Sequence, residues 1–221
     1  MSIELTLKDV GKKFGASRVL VDVSASFESG KIHGIIGRNG SGKTVLFKCI
    51  CGLINDYSGS IQINGCERKS IPLGNVNIGM IIEAPGFIPG YSGYENLRIL
   101  SNIRGHIKKE KLHEIMRFVG LDPQSSKAVD KYSLGMRQRL GIAQALMEDP
   151  ELLVLDEPFN GLDNNGVKEM RNVLKELRTR GKTILIASHN MMDINELCDT
   201  RCEMDAGVLT KLEAVGLDRD M

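Results

Sequence analysis

Short apolar runs alternate with longer amphipathic segments along most of this chain. The runs cover residues 32–36, 152–155 and 183–187. Segments with helical spacing follow them, at residues 44–50, 167–178 and 192–197. Runs of this length, free of charge and bounded by polar residues, are typical of strands that are buried on both faces. The alternation therefore predicts an α/β fold whose mostly parallel sheet is covered by helices.

The start of the chain has a strand pattern of its own. Residues 3–7 and 19–27 alternate between apolar and polar positions around a turn rich in Lys and Gly at 11–16. Residues 60–63 form a further short strand pattern that runs into an Asn-Gly turn at 64–65. Closely spaced strands separated by turns pair antiparallel, so the sequence predicts an N-terminal antiparallel β region.

Residues 85–150 differ from the rest, following a strand expected over 76–82. The segment opens with a loop rich in Gly, Pro and aromatic residues at 85–91. Apolar positions with helical spacing then follow at Leu97, Leu100, Ile103, Leu112, Ile115, Met116 and Val119. We therefore expect one domain over residues 1–221, with a helical subdomain at about 85–150 inserted into its α/β core.

Composition narrows the class of protein. The 221 residues carry a net charge of +1 and no Trp, so neither charge nor base stacking favours nucleic-acid binding. The five cysteines lack paired C-x-x-C spacing, and Cys49, Cys51, Cys198 and Cys202 are predicted to be small core residues. No window approaches about 18 consecutive apolar residues, and no signal-peptide pattern is present, so a cytoplasmic location is expected.

A glycine-rich octet at residues 37–44 carries the strongest chemical signal. It matches G-x-x-x-x-G-K-[ST], a loop whose backbone N–H groups cradle a triphosphate at the start of a helix. Its Lys reaches the β- and γ-phosphates, and its Thr hydroxyl holds Mg²⁺. The predicted nucleotide-binding residues here are Gly37, Asn39, Gly40, Ser41, Gly42, Lys43 and Thr44.

A pair of carboxylates ends the second apolar run. Asp156 and Glu157 follow residues 152–155 directly, at the sheet edge where α/β proteins bind ligands. Asp156 suits a Mg²⁺ ligand, and Glu157 suits a general base that deprotonates the attacking water. An ordinary acidic pair at a strand end is the alternative, which the neighbouring phosphate loop disfavours.

Two more polar positions are candidates for phosphate contact. His189 follows the third apolar run and is a candidate γ-phosphate sensor, although a lone His is more often structural. Ser133 is predicted to cap a helix that contains Gly135, and this helix start suits a second anion site. A capped surface helix is the alternative for the segment around Ser133.

Taken together, these motifs resemble ATP-binding cassette (ABC) ATPases over about residues 3–210. The order and spacing match for the phosphate loop, Ser-Leu-Gly-Met at 133–136, Leu-Asp-Glu-Pro at 155–158, Gly-Leu-Asp at 161–163 and Ser-His at 188–189. The resemblance implies a P-loop NTPase core. It also implies that Phe14 stacks on adenine, that Ser133 and Gly135 form the signature motif, that Asp163 communicates across a dimer and that His189 is the switch histidine.

The chain departs from the general family pattern at two places. Tyr-Ser-Leu-Gly-Met at 132–136 stands where the family usually has Leu-Ser-Gly-Gly-Gln, and Glu83 stands where it usually has Gln. Both departures resemble the subgroup that serves lantibiotic-immunity and bacitracin-resistance exporters. Because a carboxylate adds negative charge near the γ-phosphate, we expect Glu83 to contribute to catalysis and to Mg²⁺ binding.

The resemblance also implies partners. Two copies face head to tail around two ATP molecules with Mg²⁺, and a separate membrane permease moves an amphipathic antimicrobial peptide or drug out of the cell. The ATPase is then a homodimer, cytoplasmic and peripheral on the inner face of the membrane, with no nucleic-acid partner. The membrane subunit is expected near Phe87, Ile88, Tyr91 and Tyr94, although these side chains could equally pack the helical insert.

Three other functions are weaker matches. An ABC ATPase that acts on nucleic acid or ribosomes usually has long coiled coils or two cassettes, for which this chain has no room. An ABC ATPase of iron–sulfur cluster assembly leaves Glu83 and the Ser-Leu-Gly-Met variant unexplained. A P-loop kinase leaves the signature segment and His189 unexplained.

Overall fold

The computed structural model describes residues 3–71, 77–105 and 107–212, which form two sheets and six helices of more than one turn. The strands are β1 (Leu5–Phe14), β2 (Ser17–Phe27), β3 (Ile32–Ile36), β4 (Ser58–Ile63), β5 (Cys66–Glu67), β6 (Ile78–Ile81), β7 (Leu152–Asp156), β8 (Thr183–Ser188), β9 (Thr200–Asp205) and β10 (Val208–Leu212). The helices are α1 (Lys43–Cys51), α2 (Gly93–Arg104), α3 (Lys109–Phe118), α4 (Leu134–Leu146), α5 (Asn164–Thr179) and α6 (Met191–Leu197).

The larger sheet confirms the predicted α/β fold. Its order is β10-β9-β3-β8-β7-β6, with parallel pairing from β9 through to β6 and an antiparallel β10 at one edge. Ile36 is in register with Ser188, and Asp156 with Ala187. The carboxyl ends of β3, β7 and β8 therefore meet at one edge of the sheet, which brings the polar residues after each strand together.

The predicted N-terminal antiparallel region is also confirmed. The smaller sheet has the order β2-β1-β4-β5, and each pair is antiparallel. Helix α1 contacts both β2 and β7, so it lies between the two sheets. Phe27 of the smaller sheet and Phe47 of α1 are fully buried in the core that these elements share.

A second core lies on the other face of the larger sheet, as strand alternation requires. Leu153 and Leu155 point to this core, whereas Leu152 and Val154 point to the first. The second core is filled by side chains of helices α2 to α6, including Leu97, Met116 and Leu140. Of these helices, α2 to α4 lie within residues 85–150, the segment that the sequence predicts to be helical. The division into one domain with an inserted subdomain stays a prediction.

Two details of the helical segment and its preceding strand differ from expectation. Ile103 was grouped with the apolar face of its helix, but it is 75% exposed because α2 packs through Leu97 near its start. Strand β6 covers Ile78–Ile81, whereas residue 76 of the predicted strand lies outside the described residues.

Within 3–71, 77–105 and 107–212, no helix is both long and apolar enough to span a bilayer.

Candidate functional site

The glycine-rich loop joins β3 to α1 and curls around its own lysine. The Lys43 ammonium is buried and donates hydrogen bonds to the carbonyl oxygens of Gly37 at 2.6 Å and Arg38 at 3.1 Å. Gly42 has φ of +113°, and a Cβ there would lie 2.8 Å from the Val19 carbonyl oxygen, so only glycine fits. An ammonium has three donors, which leaves one for an anion held at the loop.

Ser41 and Thr44 supply the hydroxyl groups of the loop. The Ser41 Oγ is buried without a hydrogen-bond partner among the described residues, as a side chain built to meet a ligand would be. The Thr44 Oγ1 donates to Asp156 Oδ2 at 2.5 Å, across from α1 to the end of β7. The two side chains that the sequence predicts to hold Mg²⁺ are therefore in direct contact.

Asp156 is a carboxylate in an environment that favours a nearby cation. Burial is the main reason that its pKa is raised above the ordinary value, and the negative charges of Glu157 and Glu83 add to the effect. The Thr44 hydroxyl and the Lys43 charge act in the opposite direction. A divalent cation would remove the unfavourable charge, and hard oxygen ligands such as these suit Mg²⁺. The donor set therefore fits the predicted metal.

Glu157 and His189 form a direct contact. His189 Nδ1 lies 2.9 Å from Glu157 Oε2, and because an ionised carboxylate only accepts, Nδ1 carries the proton. The other carboxylate oxygen, Oε1, is buried and has no hydrogen-bond partner among the described residues. One oxygen of Glu157 is thus oriented by His189, and the other is left for a proton donor.

These groups surround one open cavity of about 550 Å³. The predicted site residues on its wall are Asn39, Gly40, Ser41, Gly42, Lys43, Thr44, Glu83, Asp156 and Glu157. Gly37 lies behind the loop as an acceptor for Lys43, and His189 reaches the cavity through Glu157. The cavity therefore brings together the predicted phosphate, metal and general-base groups.

Glu83 lies on the cavity wall with a partner that the sequence analysis did not identify. Its Oε1 is 2.7 Å from the Lys48 ammonium, and its backbone has φ of +63°. Lys48 follows Thr44 by four residues on α1, so both side chains lie on one face of that helix. That spacing was the available signal for Lys48. Nearly two thirds of the Glu83 side chain is exposed, so the carboxylate has room to change partners.

The remaining predicted contact residues do not line this cavity. The Ser133 Oγ accepts from the Met136 N–H and Asp163 Oδ1 accepts from the Gly166 N–H, so both cap helices. The predicted capping role of Ser133 is confirmed. Gly135 packs against the Gly161 carbonyl. Any ligand that Ser133, Gly135 or Asp163 contacts would therefore lie outside this cavity.

Phe14 lies at the tip of the β1–β2 hairpin. It is half exposed, and the ammonium of Lys12 lies 4.6 Å from its ring centroid. Lys12 is itself buried and pairs with Asp56 at 2.6 Å. Val19 on the neighbouring strand does line the cavity, so the hairpin borders the loop. This placement leaves an aromatic surface near the cavity that a planar ring could contact.

Gln138 is a cavity residue that sequence reasoning missed. Its side chain is buried, and its Nε2 donates to the Glu157 carbonyl oxygen at 3.2 Å. The position lies five residues after the helix cap Ser133, and nothing in that spacing indicates a contact with the end of β7.

The four side chains considered for a contact with the membrane subunit, in and next to the loop before α2, differ in exposure. Two of them pack against the helical insert and two are exposed to solvent. Phe87 and Tyr94 are partly buried against the helical core, whereas Ile88 and Tyr91 are each 45% exposed. The buried Asn96 fixes this loop, since its Oδ1 accepts from the Ile88 N–H at 2.7 Å. Two of the four side chains thus form an exposed apolar pair on an ordered loop.

Comparisons with known proteins add independent evidence. A family model described as "ABC transporter" matches residues 20–160. The bacitracin transport ATP-binding protein BcrA of Enterococcus faecalis is 39% identical over 213 residues, covering 96% of this chain and 69% of BcrA. The lantibiotic transport ATP-binding protein SrtF of Streptococcus pyogenes is 36% identical over 195 residues, covering 88% of this chain and 84% of SrtF.

The fold comparison agrees with the sequence comparison. The dimeric structure of MJ0796, described as a bacterial ABC transporter cassette, has a TM-score of 0.86 at 21% identity and covers 95% of this chain and 99% of that one. At that identity the likeness concerns the fold alone. The chain spans 64% of the length of one curated relative and 96% of another, so the relatives differ in length.

Proposed function

The chain belongs to the ABC transporter family as an ATP-hydrolysing subunit, and from that premise we propose a fuller function. Two copies close around ATP, and the cycle of hydrolysis drives export of an amphipathic compound through a separate membrane subunit. The compound is an antimicrobial peptide or a drug. The observation that carries this proposal is the cavity in which the phosphate loop, Asp156 and Glu157 meet, with His189 hydrogen-bonded to Glu157.

ATP binding follows from the cavity wall. Backbone N–H groups of residues 39–43, the free donor of Lys43 and the unpartnered Ser41 hydroxyl form the phosphate site. Thr44 and Asp156 would hold Mg²⁺, which when bound neutralises charge on the phosphates. Phe14 offers its exposed ring to adenine. This copy thus offers groups for the phosphates, for the metal and for adenine.

Hydrolysis needs a base and a group that orients it. The free Glu157 Oε1 takes a proton from the attacking water, and the His189 contact holds the carboxylate in place. The His189 side chain is more than half exposed, which leaves its ring accessible to the γ-phosphate as well. General-base catalysis of this kind contributes about 10²–10⁴ in rate.

The second copy completes the site. Ser133, Gly135 and Asp163 lie outside this copy's cavity, so in the proposed dimer they contact the ATP bound to the other copy. Helix α4 begins after Ser133, and the first backbone N–H groups of a helix have no acceptor within the helix, which suits them to an anion. ATP then stabilises the dimer because it is bound by both copies, and its hydrolysis removes that stabilisation. The dimeric state described for MJ0796 supports this arrangement.

We propose that the negative charge of Glu83 strengthens the binding of Mg²⁺. Its carboxylate lies on the cavity wall beside the proposed Mg²⁺ ligands, and it pairs with Lys48 when no metal competes. We expect Glu83→Gln to raise the Mg²⁺ concentration for half-maximal ATPase activity about fivefold, since about 1 kcal/mol of charge attraction is lost. Titration with Mg²⁺, and with Mn²⁺ followed by electron paramagnetic resonance, measures the change.

The matched control for this substitution is Glu169→Gln. Glu169 also pairs with a basic side chain at 2.7 Å, in its case Arg139, and has nearly the same exposure, but it lies outside the cavity. Its loss should leave the metal dependence unchanged. If Glu83→Gln left the Mg²⁺ dependence, the ATPase rate and transport all at wild-type values, the proposed role of Glu83 would be wrong.

The membrane subunit is proposed to bind the exposed pair Ile88 and Tyr91. The pair is apolar, is held by the buried Asn96 and begins five residues after Glu83, so a partner seated there would also contact the loop that leads to the cavity. The relatives BcrA and SrtF are named for bacitracin and lantibiotic transport, which supports an amphipathic peptide as the compound exported.

Replacing Ile88 and Tyr91 together with serine should separate ATP hydrolysis from membrane attachment. We expect the purified variant to hydrolyse ATP within about twofold of wild type, while its recovery with native membranes falls about tenfold, as loss of about 1.4 kcal/mol of apolar contact requires. Sedimentation with salt-washed membranes measures recovery. A photocrosslinking residue at position 91 identifies the bound polypeptide.

Ile103→Ser is the control for this surface, because Ile103 is the more exposed side chain but lies near the end of α2, away from the loop. It should keep wild-type recovery. A crosslink from position 91 to a polypeptide without membrane spans, or full recovery of the double variant, would contradict the proposed partner.

A further inference from the structure

We infer that Gln138 is a positioning residue that transmits the placement of helix α4 to Glu157. The inference rests on the proposed function, in which Glu157 is the general base and the start of α4 contacts the ATP of the second copy. Gln138 then couples occupancy of one nucleotide site to hydrolysis at the other. No phosphate contact of Gln138 is needed for this role.

Glu157 is held in an unusual backbone conformation. Its φ is +49°, a left-handed value that costs a non-glycine residue about 1 kcal/mol or more unless its surroundings impose it. The Glu157 N–H donates to the Ala187 carbonyl at 2.9 Å, which ties it to β8. Its carbonyl accepts from the Asn160 N–H at 3.1 Å, within the turn that follows. The direction of the Glu157 side chain therefore depends on main-chain contacts.

Gln138 adds a contact from a different layer of the fold. Its Nε2 donates to the same Glu157 carbonyl at 3.2 Å, and only 6% of the residue is exposed. Loss of this hydrogen bond would leave a buried amide unsatisfied, which is unfavourable, so the contact resists separation of α4 from the Glu157 main chain. The helix and the Glu157 main chain are linked through it.

A second contact lies at the start of the same helix. A Cβ built on Gly161 would lie 2.3 Å from Leu134 Cγ, and one built on Gly135 would lie 3.0 Å from the Gly161 carbonyl oxygen. The first turn of α4 is thus packed directly on the turn after Glu157. Displacement of this helix start is carried to both ends of that turn, at Gly161 and at Glu157.

The consequence concerns communication between the two ATP sites. When the second copy's ATP docks on Ser133 and Gly135, the start of α4 is fixed, and Gln138 fixes the main chain of Glu157 in its own site. Hydrolysis at one site then depends on occupancy of the other. Such coupling appears as a sigmoidal dependence of rate on ATP concentration, with a Hill coefficient above 1.

The test replaces Gln138 with methionine, which keeps the length of the side chain and removes the donor. We expect kcat to fall about tenfold, equivalent to about 1.4 kcal/mol, and the Hill coefficient to approach 1. The affinity for ATP, measured by calorimetry, should stay within about twofold of wild type. In a Glu157→Gln background, ATP should still produce the dimer, because the surfaces that meet are unchanged.

Gln144→Met is the matched control, since Gln144 lies on the same helix, is half-buried and does not line the cavity that Glu157 lines. It should keep the wild-type kcat and Hill coefficient. A Gln138→Met variant with the wild-type kcat and Hill coefficient would overturn the inference. The inference would also be overturned if the wild-type rate showed no cooperativity with ATP concentration. Equal losses of ATP affinity, melting temperature and rate would assign Gln138 a purely structural role and overturn it as well. Failure of the proposed function would differ, because wild type itself would not hydrolyse ATP or dimerise.

Discussion

Glu157→Gln should abolish ATP hydrolysis and leave the protein as a stable ATP-bound dimer. The amide has nearly the shape of the carboxylate, and its carbonyl oxygen can still accept the His189 Nδ1–H bond that lies at 2.9 Å. It cannot take a proton from water at neutral pH. We therefore expect the rate to fall at least about 10²-fold, the lower end of what a general base contributes.

Light scattering during size-exclusion chromatography measures the second half of this result. With ATP and Mg²⁺ the variant should elute at twice the mass of the chain, and with ADP it should elute as a monomer. Glu169→Gln, on the surface of α5, should hydrolyse ATP as wild type does and should not accumulate as a dimer. A Glu157→Gln variant that stayed monomeric with ATP, or that kept the wild-type rate, would falsify the assignment of Glu157.

Lys43→Met should have the opposite effect on the dimer, because it should prevent ATP from binding. The Lys43 ammonium is buried and holds two carbonyl oxygens of the loop, at Gly37 and Arg38. Methionine keeps the volume but removes both the charge facing the phosphates and the donors that shape the loop. Hydrogen bonds to charged groups contribute about 1.5–3 kcal/mol each, so a loss of at least 100-fold in ATP affinity is expected.

Calorimetric titration with ATP tests this second result, and the melting temperature without nucleotide reports on the fold. Lys111→Met is the control, since Lys111 lies exposed on α3 beside Glu114 and far from the loop in sequence. It should bind ATP normally. If Lys43→Met bound ATP with wild-type affinity, the loop would not be the phosphate site. The two predictions are also mutually checking, because a Glu157→Gln, Lys43→Met double variant should stay monomeric.

Much of the fold could be predicted because each of these strands and helices has a recognisable pattern within its own stretch of sequence. Strands β3, β7 and β8 are buried on both faces, and such strands read as uninterrupted apolar runs. Helical spacing identified the segment that contains α2 to α4. The exposure of Ile103 was missed because a helical pattern predicts a face, whereas the length of helix that reaches a core depends on the neighbouring elements.

The candidate site could be predicted in part because the sequence indicates parallel strands. Parallel strands align their carboxyl ends, so polar residues placed after apolar runs had to converge, and Thr44, Asp156, Glu157 and His189 do so. Glu83 lies on the cavity wall, while its pairing with Lys48 does not follow from the sequence. An exposed carboxylate selects its partner by side-chain direction, which the sequence does not contain.

The sequence by itself predicted the chemistry proposed for this protein: a phosphate loop after β3, and a metal ligand and a general base together at the end of β7. Those assignments depend on residue type and on strand order, both of which are local. The tertiary structure decided which groups touch: that Gln138 reaches the Glu157 carbonyl, that Lys48 holds Glu83, and that Ile88 and Tyr91 stay exposed while their neighbours pack. Contacts of this kind join segments from different layers, and their geometry is set only when both cores are filled.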